Sequence, residues 1–91
     1  MKNIEISLDS AHWIDAKNYL ASLPTNPQKS DLERVLYLAK NHKSWLVREK
    51  AVDILGKTQY DFEELLRIAS KDEFICVRER AEKWVVGYNK F

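Results

Sequence analysis

The feature that most constrains the fold is an internal repeat with a period of thirty residues. When the 91-residue chain is shifted by thirty positions against itself, residues 31–57 align with residues 61–87, and eight aligned positions are identical. A unit this short cannot bury its apolar face alone. We therefore expect two copies packed side by side, which we call unit 1 (30–57) and unit 2 (60–88).

Within each unit the apolar residues have helical spacing. The first halves place them at i, i+3, i+4 and i+7, and the second halves continue with the same period, which is typical of helices with one apolar face. Each unit is therefore predicted to be a pair of helices, and the units are predicted to meet through six apolar side chains: Leu36, Leu66, Val47, Val77, Ala51 and Ala81.

Start and stop signals agree with these limits. Ser30 and Asp61 are each followed three residues later by a glutamate, which is the spacing of a helix N-cap. Gly56 and Gly87 are predicted to end the second helices in the left-handed conformation. Short polar turns inside each unit predict antiparallel helices.

The segment before the repeats is predicted to cap them. Residues 10–23 begin with a capping serine, Ser10, carry an apolar stripe and are followed by Pro24, so they are predicted to form one helix. Residues 1–9 alternate apolar and polar side chains and are expected to be extended. The whole chain, 1–91, is then a single all-α domain.

The second halves of the units carry a family resemblance. Val47-Arg48-Glu49-Lys50-Ala51 and Val77-Arg78-Glu79-Arg80-Ala81 resemble the second helix of HEAT-like repeats, and Asp72 matches the turn aspartate, a position that His42 occupies in unit 1. The resemblance implies a short α-solenoid of antiparallel helix pairs with an N-terminal cap helix. It also implies a scaffold, because such repeats bind proteins in most cases and nucleic acid in a few.

Composition argues against catalysis. Two glycines are too few for a phosphate-binding loop, and a single cysteine, Cys76, excludes an internal disulfide and a multi-cysteine zinc site. His12 and Asp15 supply two metal ligands where a site needs more. We expect no catalytic residue, no metal and no cofactor.

The expected location is the cytoplasm. No run approaches the ~20 apolar residues of a membrane span, and the N-terminal residues lack the pattern of a signal peptide.

The charges are unevenly distributed. Residues 29–50 carry six basic and three acidic side chains, whereas residues 61–82 carry four basic and seven acidic ones. The chain is therefore predicted to be electrically bipolar, with +3 and −3 at its two ends. Such a surface orients association with a partner of matching pattern or with a second copy.

The second helices are the predicted binding platform. Arg48 and Arg78 recur at the repeat spacing and are expected first to bond turn acids or carbonyls. Two alternatives stay open for Trp45, Phe74 and Ile75, which are either exposed anchors or plugs between the units. The predicted partner-binding residues are Trp45, Arg48, Glu49, Val52, Phe74, Ile75, Arg78, Glu79 and Glu82.

Two functions are compared on this basis. The first is a non-enzymatic module that occludes or adapts one partner protein, encoded nearby, for example as a toxin-neutralising immunity protein. The alternative is nucleic-acid binding through a basic cluster beside Trp45, in which phosphates are contacted by Lys40, His42, Lys43 and Lys50.

Overall fold

A computed structural model describes residues 13–89, with the side chains of residues 13–87. The predicted extended segment 1–9, the Ser10 cap and His12 lie outside the described residues. The described part contains helices and no strand, so the all-α prediction is confirmed there. The helices are α1 (Trp13–Ala21), α2 (Lys29–Asn41), α3 (Trp45–Thr58), α4 (Phe62–Lys71) and α5 (Ile75–Asn89).

The helices pack as two pairs joined through their second members. α2 packs against α3 within unit 1, and α4 packs against α5 within unit 2. α3 also packs along α5, and α1 covers another side of α3. α3 therefore contacts every other helix of the described part and lies at the centre of the molecule.

The core lies where α3 and α5 meet the other helices. The predicted burial of Val47, Ala51, Val77 and Ala81 is confirmed, since each has no exposed surface. In α1 the small Ala16 lies fully buried. The largest fully buried side chains are Leu38, Leu55, Leu65, Val35, Val47, Val52 and Val77.

The predicted burial is wrong for Leu66 and only partly correct for Leu36. Leu66 is 41% exposed, and Leu36 is partly buried against the core, whereas their neighbours Val35 and Leu65 are completely buried. Adjacent helical residues point about 100° apart, so each first helix turns Val35 or Leu65 toward the core in preference to the leucine that follows. The core receives the i, i+3 pairs Val35 with Leu38 and Leu65 with Ile68 instead.

Of the four predicted helix ends, one is confirmed and three are wrong. Asp61 caps α4 as predicted, because its carboxylate accepts a hydrogen bond from the Glu64 amide at 3.2 Å. Ser30 is not the cap of α2, since that helix begins at Lys29 and Gln28 holds the N-cap position.

Neither glycine ends a helix. Gly56 lies inside α3, whose C-cap residue Gln59 has the left-handed conformation, and Gly87 lies inside α5. Gly56 has a packing reason, because a Cβ there would overlap the Trp84 ring. The close approach of α5 to α3 therefore requires glycine at this point.

None of the helices in residues 13–89 has the length and hydropathy needed to cross a membrane.

Candidate functional site

A buried ion pair joins the two units. The Arg48 guanidinium donates from Nε to Asp72 Oδ2 at 2.9 Å and from Nη2 to Oδ1 at 3.1 Å, and both side chains are 7% exposed. Its Nη1 donates to the His42 carbonyl at 2.7 Å. The prediction that this arginine bonds a turn acid and a carbonyl is confirmed. Arg48 is consequently a joint between units, and its polar atoms face the interior.

An aromatic stack closes the same joint. The rings of Trp45 and Phe74 lie 4.6 Å apart between centroids at an interplanar angle of 18°. Both side chains are partly buried and pack against the core. For these two residues the structure supports packing between units, whereas Ile75 is 54% exposed.

A second polar joint connects α3 with α5, one turn or more beyond Arg48 along α3. Asp53 accepts hydrogen bonds from Trp84 Nε1 at 2.9 Å and from Arg80 Nη1 at 2.5 Å, and Arg80 Nη2 lies 3.3 Å from Glu49 Oε2. The hydrogen bond to Asp53 raises the pKa of the Arg80 guanidinium above its usual value. The guanidinium ties α5 to two carboxylates of α3.

These joints remove part of the predicted binding surface. Val52 is completely buried and Arg48 is 6% exposed, so neither reaches a partner. The predicted residues that remain accessible lie on α5 or beside it: Glu49, Ile75, Arg78, Glu79 and Glu82.

Sequence reasoning missed Val86, which is 48% exposed. It follows Ile75 by eleven residues, or three helical turns, so it lies on the same side of α5. This spacing is visible in the sequence, but the adjacent Val85 is equally apolar, and it is Val85 that the fold buries. We call the surface formed by Ile75, Arg78, Glu79, Glu82 and Val86 the α5 face.

An open groove of about 720 Å³ adjoins the α5 face. Its walls come from α3 and α5, and its lining carries the carboxylates Glu49, Glu79 and Glu82 together with the Arg80 and Lys83 cations. The partly exposed Cys76 thiol also lines it. Within the described residues, no three His, Cys, Asp or Glu side chains are grouped as metal ligands.

The four residues of the predicted basic cluster, Lys40, His42, Lys43 and Lys50, lie in different environments. His42 is 2% exposed, and its Nδ1 accepts a hydrogen bond from the Ser44 amide at 3.0 Å, so a phosphate cannot reach it without opening the core. Lys40 pairs with Glu64 of α4 at 3.1 Å. Lys43 remains an exposed turn residue.

Lys50 faces another groove, of about 770 Å³, which it lines together with Lys17 and Lys57. The floor of this groove is apolar and includes Leu20 and Ile54. Two of the three lysines were not part of the predicted cluster: Lys17 lies on α1, and Lys57 lies two turns beyond Lys50 on α3.

No family model, curated protein or solved structure matches this chain.

Proposed function

We propose that the protein is a non-enzymatic module that binds one partner protein through the α5 face and thereby occludes or adapts it. The observation that carries this proposal is the exposure of Ile75 and Val86, which are 54% and 48% accessible on one helix. Exposed apolar side chains combined with charged ones are typical of protein interaction sites. Here Glu79 and Glu82 lie between the two apolar side chains along α5, and Arg78 lies beside them.

In this proposal the helices form a short HEAT-like α-solenoid. The packing of α2 on α3, of α4 on α5 and of α3 on both α5 and α1 supports it. Because only the outer surfaces of a solenoid are free to act, the exposed α5 face is where a partner has access to both apolar and charged groups.

Charge indicates the class of partner. The α5 face carries the exposed carboxylates Glu79 and Glu82, whereas Glu49 in the groove is paired with Arg80, and Lys83 also lines the groove. A partner surface with apolar side chains and surrounding lysines or arginines is complementary, and its association is accelerated by the opposite charges. A toxin-neutralising immunity protein is one example of the module that we propose.

The test compares two charge reversals of equal size. In the first variant, Glu79→Lys with Glu82→Lys alters the α5 face. In the control, Glu33→Lys with Glu63→Lys makes the same change at exposed positions of α2 and α4. Tagged chains are expressed in the source cells with the neighbouring gene products and purified.

We expect a stoichiometric protein partner that the α5-face variant loses and the control retains. The complex should then reassemble from purified components in a calorimeter. If no partner co-purifies, or if both variants bind it equally, the proposed function is wrong.

Nucleic-acid binding is the second candidate, and the groove lined by Lys17, Lys50 and Lys57 favours it. Binding through these three cations should weaken with salt at a log–log slope of about −3. Lys50→Glu with Lys57→Glu should then abolish a mobility shift measured at low salt. Absence of any shift with the unmodified protein excludes this candidate.

A further inference from the structure

The contacts between units provide a template for a contact made by unit 2. Unit 1 holds unit 2 with Arg48 on Asp72 and with Trp45 stacked on Phe74. A shift of thirty residues carries Arg48 to Arg78 and Trp45 to Ile75. Unit 2 therefore presents, on its outer side, the positions that unit 1 uses to hold its neighbour.

Arg78 reproduces half of the Arg48 arrangement. Its Nη1 donates to the Asp72 carbonyl at 2.7 Å, as Arg48 Nη1 donates to the His42 carbonyl at 2.7 Å. Arg48 uses its Nε and Nη2 to hold the Asp72 carboxylate. Among the described residues this carbonyl bond is the hydrogen bond that the Arg78 side chain makes, and its Nε and Nη2 correspond to the groups with which Arg48 holds Asp72.

The other equivalent positions are accessible too. Ile75 is 54% exposed where its counterpart Trp45 lies in a stack, and Val86 is 48% exposed where its counterpart Gly56 lies under Trp84. A ligand that occupies this surface as unit 2 occupies unit 1 would therefore cover two apolar side chains and pair one arginine.

The remaining counterparts exclude an ordinary third unit. The buried Val52 corresponds to Glu82, and Asp53, which accepts from Arg80 and Trp84, corresponds to Lys83. An apolar helix packed here would bury unpaired charges at a large cost. A second copy meeting this face with its own unit 2 would bring together two segments that each carry a net charge of −3.

We propose that the α5 face binds a helix of the partner protein that carries an aspartate or glutamate in the turn three residues before its first helical residue, a large apolar or aromatic side chain two residues after that acid, and a basic residue about two turns further on. The spacing is that of Asp72, Phe74 and Arg80, the residues by which unit 2 contacts unit 1. The acid pairs with Arg78, the apolar side chain covers Ile75, and the base meets Glu79, which corresponds to the Glu49 that Arg80 contacts. This inference rests on the proposed function and specifies the recognised motif.

The test uses displayed peptides as a defined probe. The library has the sequence of residues 72–89 of this chain, with the positions of Asp72, Phe74 and Arg80 randomised, and is selected against the full-length protein. We expect enrichment of Asp or Glu at the first position, Trp, Phe or Leu at the second and Lys or Arg at the third. Affinities of selected peptides are then measured by fluorescence anisotropy.

Variants of the protein assign the contacts. Arg78→Gln should weaken binding by at least about tenfold, and Arg67→Gln, at an exposed arginine of α4, should leave it unchanged. Arg78→Asp should recover affinity for a peptide whose first residue is arginine. Ile75→Ser, at an exposed position, tests the apolar contact independently of Arg78. It should remove the preference for an aromatic residue at the second randomised position of the peptide.

Three outcomes overturn the inference: no enriched peptide, no acidic preference at the first position, or equal binding by Arg78→Gln and the unmodified protein. A dimer formed through α5, seen by sedimentation, also overturns it. In each of these cases the proposed function still depends on the separate experiment with the partner protein and the Glu79→Lys, Glu82→Lys variant, so the two failures are distinguishable.

Discussion

Single side chains show how far the repeat determines the core. The period of thirty correctly predicted the burial of Val47 and Val77, because each second helix has a single apolar side and these small β-branched residues lie on it. It failed at Leu66 and was only partly correct at Leu36, because the first helices carry apolar residues on adjacent lines. The choice between those lines depends on how the helix is rotated against its neighbours, and this is a tertiary effect.

Two adjacent leucines test the orientation of α4. Leu65→Ala should lower the free energy of unfolding by ~2–5 kcal/mol, because a buried side chain is lost and a cavity remains. Leu66→Ala, at the 41% exposed neighbour, should lower it by less than about 1 kcal/mol. Urea titrations of both variants measure the difference, and equal losses would contradict the described orientation.

The two glycines test the contact between α3 and α5. Gly56→Ala should destabilise the protein by ~1–3 kcal/mol, because the added methyl overlaps the Trp84 ring. Gly87→Ala meets no atom within 4 Å and should stabilise α5 by up to about 1 kcal/mol through helix propensity. The thermal midpoints should therefore move in opposite directions, and two shifts of the same sign would count against this packing.

At the scale of helices, polar joints determine how the second helices meet. The recurrence of Arg48 and Arg78 predicted the first joint, because a charged residue at the repeat spacing needs an acid or a carbonyl. The joint of Asp53 with Arg80 and Trp84 was not predicted, since its members are 27 and 31 residues apart and no local pattern links them. It can be recognised only once α3 and α5 lie side by side.

In the first joint, between the two units, the Arg48–Asp72 pair should make the largest contribution to stability. Asp72→Asn leaves the Arg48 guanidinium buried without its counter-charge. It should lower the free energy of unfolding by about 3–5 kcal/mol, the range found when one member of a buried pair is removed. Glu73→Gln alters the exposed neighbour and should change stability by less than about 0.5 kcal/mol. Chemical denaturation followed by circular dichroism compares them, and a similar small loss in both would show that the pair is not structural.

At the scale of the whole molecule, the central position of α3 determines cooperativity. α3 contacts α1, α2, α4 and α5, so neither helix pair can separate without exposing part of the common core. Sequence analysis predicted the two pairs and the bipolar charge. The accessible part of the binding surface could not be predicted, because the joints that bury Val52 and Arg48 exist only between units.

We expect a single unfolding transition. Trp45 and Trp84 lie at the joints between units and report their separation by fluorescence, while far-ultraviolet circular dichroism reports helix content. The two signals should have the same midpoint in a denaturant titration, as for a two-state domain. Loss of tryptophan burial before loss of helix would show that the units unfold separately.

The central claim is that a partner protein is bound at the α5 face. The most direct measurement is the change in backbone amide chemical shifts of the isotope-labelled chain when the purified partner is added. We predict changes concentrated in residues 75–86 and around Glu49, with α1 and the exposed side of α2 unaffected. Changes confined to α1, α2 or the lysine-lined groove would contradict the account.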